Sequence, residues 1–312
     1  MSKQLRSIAV FLFLTANPVF AQPTAPMEEK TLAQWIAEAE LWILRQEVPG
    51  YLVEVEKALD KIEQLDPKLS YTHWSRARVA FWKKEAYYPL ETKETKGQYD
   101  KEKLDLANQC HRHSDRCLAL APENAECHMM KGVCYSMQAS TWGQGWKTLS
   151  VLIPMDKEWV MASELPSSFT HMGGEVTTKQ LSVILRGILY RVMPDSFWLR
   201  FFAGIRGNKE KAYQWIKESI SSRLLKEPVL LLEFAAAAIC YGRSESKPER
   251  ISEGYAILRD GMKIPTRYPL DDFDKLKMAV LLERPEKACS YRRERFEEVT
   301  QRSLQIELRS QP

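Results

Sequence analysis

The sequence predicts an all-α fold: an array of antiparallel helical hairpins with irregular insertions. Three observations carry this. Apolar residues recur at spacings of three and four through most of the 312 residues, the period of an amphipathic helix. Strand-like alternation between hairpin turns is scarce. Short turns marked by Pro or Gly separate the helical blocks, so neighbouring helices run antiparallel.

The first residues, MSKQLRSIAVFLFLTANPVFAQP, carry Lys3 and Arg6 ahead of an apolar core from Ile8 to Leu14. Small residues end at Ala21, and together these features predict a secretory signal peptide over residues 1–21. The apolar run is shorter than the ~20 residues a membrane-spanning helix needs. No cysteine lies near the cleavage point, so no lipid anchor is expected there. Residues 22–312 are expected to form a single helical domain in the periplasm. Losing Lys3 and Arg6 lowers the formal charge of +4 to about +2, too balanced to argue for nucleic acid or an anionic membrane as a partner. No second segment is long and apolar enough to span a bilayer. All six cysteines follow the cleavage point, and an oxidising compartment lets them pair.

Taken in order, residues 28–46 place Leu32, Trp35, Ile36, Ala39 and Trp42 on one helical stripe. Residues 51–65 do the same with Leu52, Val55, Ala58, Leu59 and Ile62, and Asp66-Pro67 ends that helix. Further blocks fall at about 71–85, 101–120, 124–138, 178–192, 208–225, 229–240, 249–261 and 284–303. Three segments interrupt them. The polar stretch 91–103 is one. Residues 139–177, with Trp142, Trp146, Pro154, Trp159 and the loop at His171, are the second. The aromatic stretch 194–206 is the third. Long non-repeating segments in a helical array are often functional or packing devices.

Residues 110–117 read CHRHSDRC, which looks like a metal site. Cys110 and Cys117 lie on one helical face about 10.5 Å apart along the axis. That is too far for a disulfide between them, which needs Cα atoms within about 7 Å. Cys127 and Cys134 repeat the same spacing on the next helix. The pairs Cys110/Cys134 and Cys117/Cys127 mirror about Pro122, in the expected turn. One hairpin register therefore predicts two parallel bridges, Cys110–Cys134 and Cys117–Cys127. Four thiolates spread over that length cannot surround one zinc ion. His113 falls on the same face, which leaves a smaller Cys–His site open. His111 and His128 are expected to face solvent or a neighbouring helix pair. No spacing argument decides whether Cys240 and Cys289 pair.

The helix pairs resemble tetratricopeptide (TPR) repeats. Cys117-Leu118-Ala119-Leu120-Ala121-Pro122 resembles the end of a second repeat helix, and so does Leu65-Asp66-Pro67. Ala125, Gly132 and Tyr135 then match the next first helix. Gly187 and Tyr190 repeat the G-x-x-Y spacing, and Gly207 to Ala212 resembles an inter-helix turn with the start of a second helix. Ala86-Tyr87-Tyr88-Pro89, Gly97, the Pro-Glu-Asn-Ala turn at 122–125, Leu185 to Pro194 and Gly-x-Lys-x-Lys-Ala at 207–212 narrow the likeness. Over roughly residues 50–265 the chain resembles the T component (TatT family) associated with TRAP transporters. That resemblance implies a non-enzymatic exported protein that docks a periplasmic solute-binding protein and holds a hydrophobic small molecule in a cleft. The missing cysteine at the cleavage point departs from the family pattern. A general interaction scaffold for another envelope protein is the alternative.

No G-x-S-x-G, H-E-x-x-H, Walker or dinucleotide-binding fingerprint occurs. No cofactor or catalytic residue is therefore expected. Asp271-Asp272-Phe273-Asp274 reads as a helix N-cap with carboxylates that complement the dipole, with a cation site as the other reading. Arg292-Arg293-Glu294-Arg295 reads as a solvated helix face. Trp142, Trp146, Phe197, Trp198, Phe201 and Phe202 cluster in the interrupting segments. They are either core packing or the walls of an apolar ligand groove. Trp142, Trp146, Tyr190, Phe197, Trp198 and Phe201 are the candidate ligand-binding residues.

Overall fold

A computed structural model describes residues 30–91, 95–143, 146–171, 176–195, 206–220 and 226–293. The expected signal peptide lies outside them. Among the described residues are eleven α-helices, two short 3-10 turns and one two-stranded hairpin.

Helix α1 (Leu32–Ile43) pairs with α2 (Tyr51–Leu65), and α3 (Ser70–Glu85) pairs with α4 (Asp100–Leu120). Helix α5 (Ala125–Trp142) pairs with α6 (Trp146–Glu164), and α7 (Thr178–Val192) with α8 (Lys209–Ser219). The last pair is α9 (Pro228–Ser244) with α10 (Pro248–Met262), followed by α11 (Pro269–Glu283). The first helices α3, α5, α7 and α9 pack on one another in sequence order, and each second helix also packs on the next first helix. The array is therefore a row of first helices backed by a row of second helices. The described residues from Leu32 onward form one unit.

Local chemistry sets the boundaries. In α2 the stripe Val55, Ala58, Leu59 and Ile62 is buried, each side chain at 1% exposure or less. Fully burying a leucine or isoleucine contributes about 1.5–3 kcal/mol, and α2 ends where Asp66 precedes Pro67. Asn124 caps α5 by accepting from the Cys127 amide at 2.9 Å. Thr177 and Gln180 form a capping box on α7. Asn208 caps α8 through the Lys211 amide at 2.8 Å. Helices α9, α10 and α11 each open on a proline, whose missing N–H has no partner to lose there.

Two blocks depart from the sequence reading. Residues 146–164 are a full helix, not an irregular insertion; Pro154 inside α6 hid its period. Among the described residues after α6, strand β1 (Thr170–His171) pairs antiparallel to β2 (Val176–Thr177). In the helical block expected over 284–303, residues 285–287 form a 3-10 turn and residues 294–303 lie outside the described residues, while the helix of this region is α11, ending at Glu283. Phe273, Leu276, Met278 and Leu281 bury the stripe of α11.

The G-x-x-Y spacing marks close helix approach. A Cβ on Gly132 would lie 2.4 Å from Trp159 Nε1 of the partner helix α6. At Gly187 it would lie 2.6 Å from Ile216 Cγ1 of α8. The Trp159 indole donates to the Met129 carbonyl at 3.3 Å, so its ring lies across the α5 backbone. Gly132→Ala is expected to cost about 1–3 kcal/mol by overpacking, read as a lower urea midpoint. An unchanged midpoint contradicts this packing.

Candidate functional site

The cysteine pairs follow the predicted register. Cys110 and Cys134 are bridged with Cα atoms 5.4 Å apart, and Cys117 and Cys127 with Cα atoms 5.6 Å apart. Both bridges join α4 to α5 across the turn at residues 121–124. Cys240 and Cys289 form a third bridge. Every sulfur of CHRHSDRC is thus used, so the Cys–His site left open for His113 is not formed. That ring stacks on His73 of α3 instead, with centroids 6.3 Å apart. Among the described residues no three His, Cys, Asp or Glu side chains are placed to hold a metal ion.

His128 sits where both ring nitrogens meet acceptors: the Glu158 carboxylate at 2.6 Å and the Pro122 carbonyl at 2.8 Å. Only the protonated ring donates to both. The Glu158 hydrogen bond leads in raising its pKa above the usual histidine value, against the opposing effect of burial. A raised folded pKa stabilises fully below the unfolded value of ~6.5 and is lost as pH rises through the folded value. In a histidine NMR titration, His128 is expected to protonate first as pH falls. Burial holds His113 down to about 4 and His171 down to about 3. A His128 that titrates below 6.5 would contradict this bridge.

Of the aromatic residues singled out from the sequence, the structure describes the side chains of Tyr190 and Trp142. Tyr190 packs edge-on against Trp215 of α8, with centroids 5.0 Å apart, and its hydroxyl lies 3.4 Å from Asp156 of α6. It borders the core formed by Leu152, Met155, Trp159, Leu189 and Met193. Trp142 ends α5, half-buried. Phe197, Trp198, Phe201, Phe202 and the side chain of Trp146 lie outside the described residues. An open hollow of about 560 Å³ occurs elsewhere, beside the end of α3, with Leu52, Tyr87, Leu90 and Leu106 as its apolar lining.

The first-helix face carries a different feature, a set of buried charges covered by two segments of the chain itself. At one end the cover is residues 167–171 and 176–178. Arg78 of α3 pairs with Glu40 of α1, which also accepts from the Tyr71 hydroxyl at 2.6 Å. The Arg78 guanidinium lies over the Trp74 ring at 4.7 Å, and Phe169 meets the same indole at 4.7 Å. Thr178 donates to Glu126 of α5 at 2.9 Å, so its oxygen accepts from His171 Nε2 at 3.1 Å. Ser167 donates to the same Glu126 oxygen. Burial, then the nearby Arg78, keeps His171 neutral.

At the other end the cover is α11 with residues 285–293. Arg191 of α7 has 0% exposure. Its guanidinium donates to the backbone carbonyls of Ala288 at 2.6 Å and Tyr291 at 3.0 Å, and to Glu233 of α9 at 2.6 Å. Arg293 makes a fork onto Asp274 of α11, both contacts at 2.8 Å, and also pairs with Glu85 of α3. The solvated helix face expected for Arg292 to Arg295 is therefore wrong at Arg293, while Glu294 and Arg295 lie outside the described residues. Lys84 donates to the Tyr88 hydroxyl at 2.6 Å and to Ser140 of α5 at 2.7 Å. The carboxylates of α11 are also taken. Asp271 accepts from Arg267 and Asp272 from Thr266, and both lie in the first turn behind the N-cap Tyr268. Burial pushes the Asp274 carboxyl up to about 6, with Arg293 opposing and Asp271 and Glu233 adding.

Such charges are costly to desolvate, and pairing offsets that cost. What the arrangement can do is hold a polypeptide segment. Arg191 reads main-chain carbonyls, and Glu85 with Asp274 reads an arginine side chain. The sequence carried a signal for part of this. Glu233 is the one charge in the apolar run Val229–Ile239, and a lone buried carboxylate calls for a cationic partner. In comparisons with family models, curated proteins and solved structures, nothing matches this chain.

Proposed function

We propose that this chain is an exported, non-enzymatic binding protein whose TPR-like first-helix face captures polypeptide. The observation that carries this is the Arg191 guanidinium on the Ala288 and Tyr291 carbonyls. Side-chain hydrogen bonds to main-chain carbonyls recognise a peptide largely regardless of its sequence. Export is supported by the leader-like first 21 residues and by three disulfides, which persist in oxidising compartments. Among the described residues no helix is long and apolar enough to cross a membrane.

The partner in this reading is a periplasmic solute-binding protein of a TRAP-type transport system. It is supported by the resemblance carried by residues 86–89, 122–125, 185–194 and 207–212. The hollow lined by Leu52, Tyr87, Leu90 and Leu106 is the place for a hydrophobic ligand. A general envelope scaffold would use the same face, and the polar character of that face favours it as the second reading. Isothermal titration of the mature protein with a purified TRAP-type solute-binding protein separates them. A saturable complex is expected. The absence of binding in both the oxidised and the reduced protein overturns the transporter reading.

A further inference from the structure

We propose that residues 285–293 are an autoinhibitory strap, held over the first-helix face by the Cys240–Cys289 disulfide and released when that bond is reduced. The closure is read from this chain's own contacts. Its meaning as inhibition rests on the polypeptide-binding reading above.

Nine residues tie α11 to α3, α7 and α9, three helices distant in sequence. Ala288 and Tyr291 bury their side chains, at 0% and 2% exposure, in the core formed by Leu232, Ile239, Met278 and Leu281. Arg191 of α7 holds their carbonyls. Arg293 reaches Glu85 of α3 and Asp274 of α11. Cys289 is bonded to Cys240 of α9, with Cα atoms 4.7 Å apart. The strap thus occupies its site as a bound peptide would, with main-chain acceptors, an apolar anchor and a charged anchor. The fit is incomplete, which suits an occupant that must leave. Among the described residues the Tyr291 hydroxyl and Arg191 Nε are buried without a hydrogen-bond partner.

The three disulfides differ in access. Cys110, Cys117, Cys127 and Cys134 are all at 0% exposure between α4 and α5. Cys240 is equally buried, but Cys289 is only half-buried. Its sulfur lies 3.8 Å from the Ser244 hydroxyl on an exposed edge. An attacking thiolate can therefore reach Cys289 and not the other five. An exported dithiol protein supplies the chemistry. One of its thiolates attacks the Cys289 sulfur, the Cys240–Cys289 bond breaks, and Cys240 leaves as a thiolate that takes up a proton. The second thiol of the reductant then attacks the mixed disulfide, freeing Cys289 as a thiol. Two electrons and two protons pass to the cysteine pair, and the dithiol becomes a disulfide.

The test uses the full mature chain. Limiting dithiothreitol is applied, the reduced cysteines are mapped by mass spectrometry, and amide hydrogen exchange is followed. Cys240 and Cys289 are expected to be reduced first. Exchange in residues 286–293 then quickens by about a hundredfold, the scale set by withdrawing one disulfide, while α4 and α5 stay unchanged. A fluorescein-labelled peptide of residues 284–293, with Cys289→Ser, is expected to bind the reduced protein and a full-length Cys240→Ser/Cys289→Ser variant. It should not bind the oxidised protein. Earlier reduction of an α4–α5 disulfide, unchanged exchange in the strap, or peptide binding that is equal in both redox states or absent from both overturns the proposal. A peptide that binds only the reduced protein, with no binding of the solute-binding protein, leaves the strap standing and removes the transporter reading alone.

Discussion

Replacing Cys110 and Cys134 together by alanine is expected to lower the unfolding free energy by about 3 kcal/mol, and replacing Cys117 and Cys127 by somewhat less. The difference comes from loop length. The first bridge spans a sequence separation of 24 and the second one of 10, and a longer closed loop restricts the unfolded chain more. The two bridges clamp the same pair of helices, so their effects are not additive. The Cys117–Cys127 loop is nested inside the Cys110–Cys134 loop, so with one bridge in place the other closes an effectively shorter loop. A domain of ordinary stability has about 5–15 kcal/mol in all, so the variant without either bridge should be close to unfolding at 37 °C. Urea unfolding with near-ultraviolet and far-ultraviolet circular dichroism checks this. A Cys110→Ala/Cys134→Ala midpoint equal to that of the parent would mean that α4 and α5 are held by packing alone.

Arg191→Ala is the second large effect. It withdraws the guanidinium from Glu233, which lies at 5% exposure, and from two main-chain carbonyls. Breaking one side of a buried ion pair costs about 3–5 kcal/mol, because the remaining charge stays desolvated. Arg191→Met/Glu233→Gln is expected to recover a large part of that loss, since it removes both charges and keeps most of the volume. The double-mutant cycle then reports the coupling directly. If the double variant is as unstable as Arg191→Ala, the pair's charge is not what sets the cost. The same substitution should loosen residues 285–293, which hydrogen exchange reads independently of global stability.

Much of the fold is legible in the sequence because it rests on local rules. The α2 stripe from Val55 to Ile62, the stop at Asp66-Pro67 and the caps at Asn124 and Asn208 depend on residues within a turn of one another. The mirror spacing of four cysteines about Pro122 turned such local rules into a tertiary contact between α4 and α5. Helix α6 was hidden because Pro154 reads as a stop, although the helix runs through it. Helix α11 falls outside the expected blocks because its first-turn carboxylates look like a cap rather than part of the helix.

The candidate site was less legible, for a physical reason. Arg293 pairs with Glu85 across 208 positions and Arg191 reaches the Ala288 and Tyr291 carbonyls across 97 and 100, and no local period links them. Arg293 sits in a cluster of charges that looks solvated in isolation. Its burial follows only from the return of residues 285–293 over α7 and α9. Conversely, Tyr190 stood out as an aromatic near a gap in the repeat, and its edge contact with Trp215 needs α8 in place.

A first-helix face that binds polypeptide must gain amide protection when a partner docks. Hydrogen exchange on the complex of the reduced mature protein with a TRAP-type solute-binding protein tests it most directly. New protection is expected in α3, α7 and α9 around Glu85, Arg191 and Glu233, with faster exchange in residues 286–293 as the strap is displaced. Protection confined to the second helices α4, α6 and α8, with the strap unmoved, would contradict it.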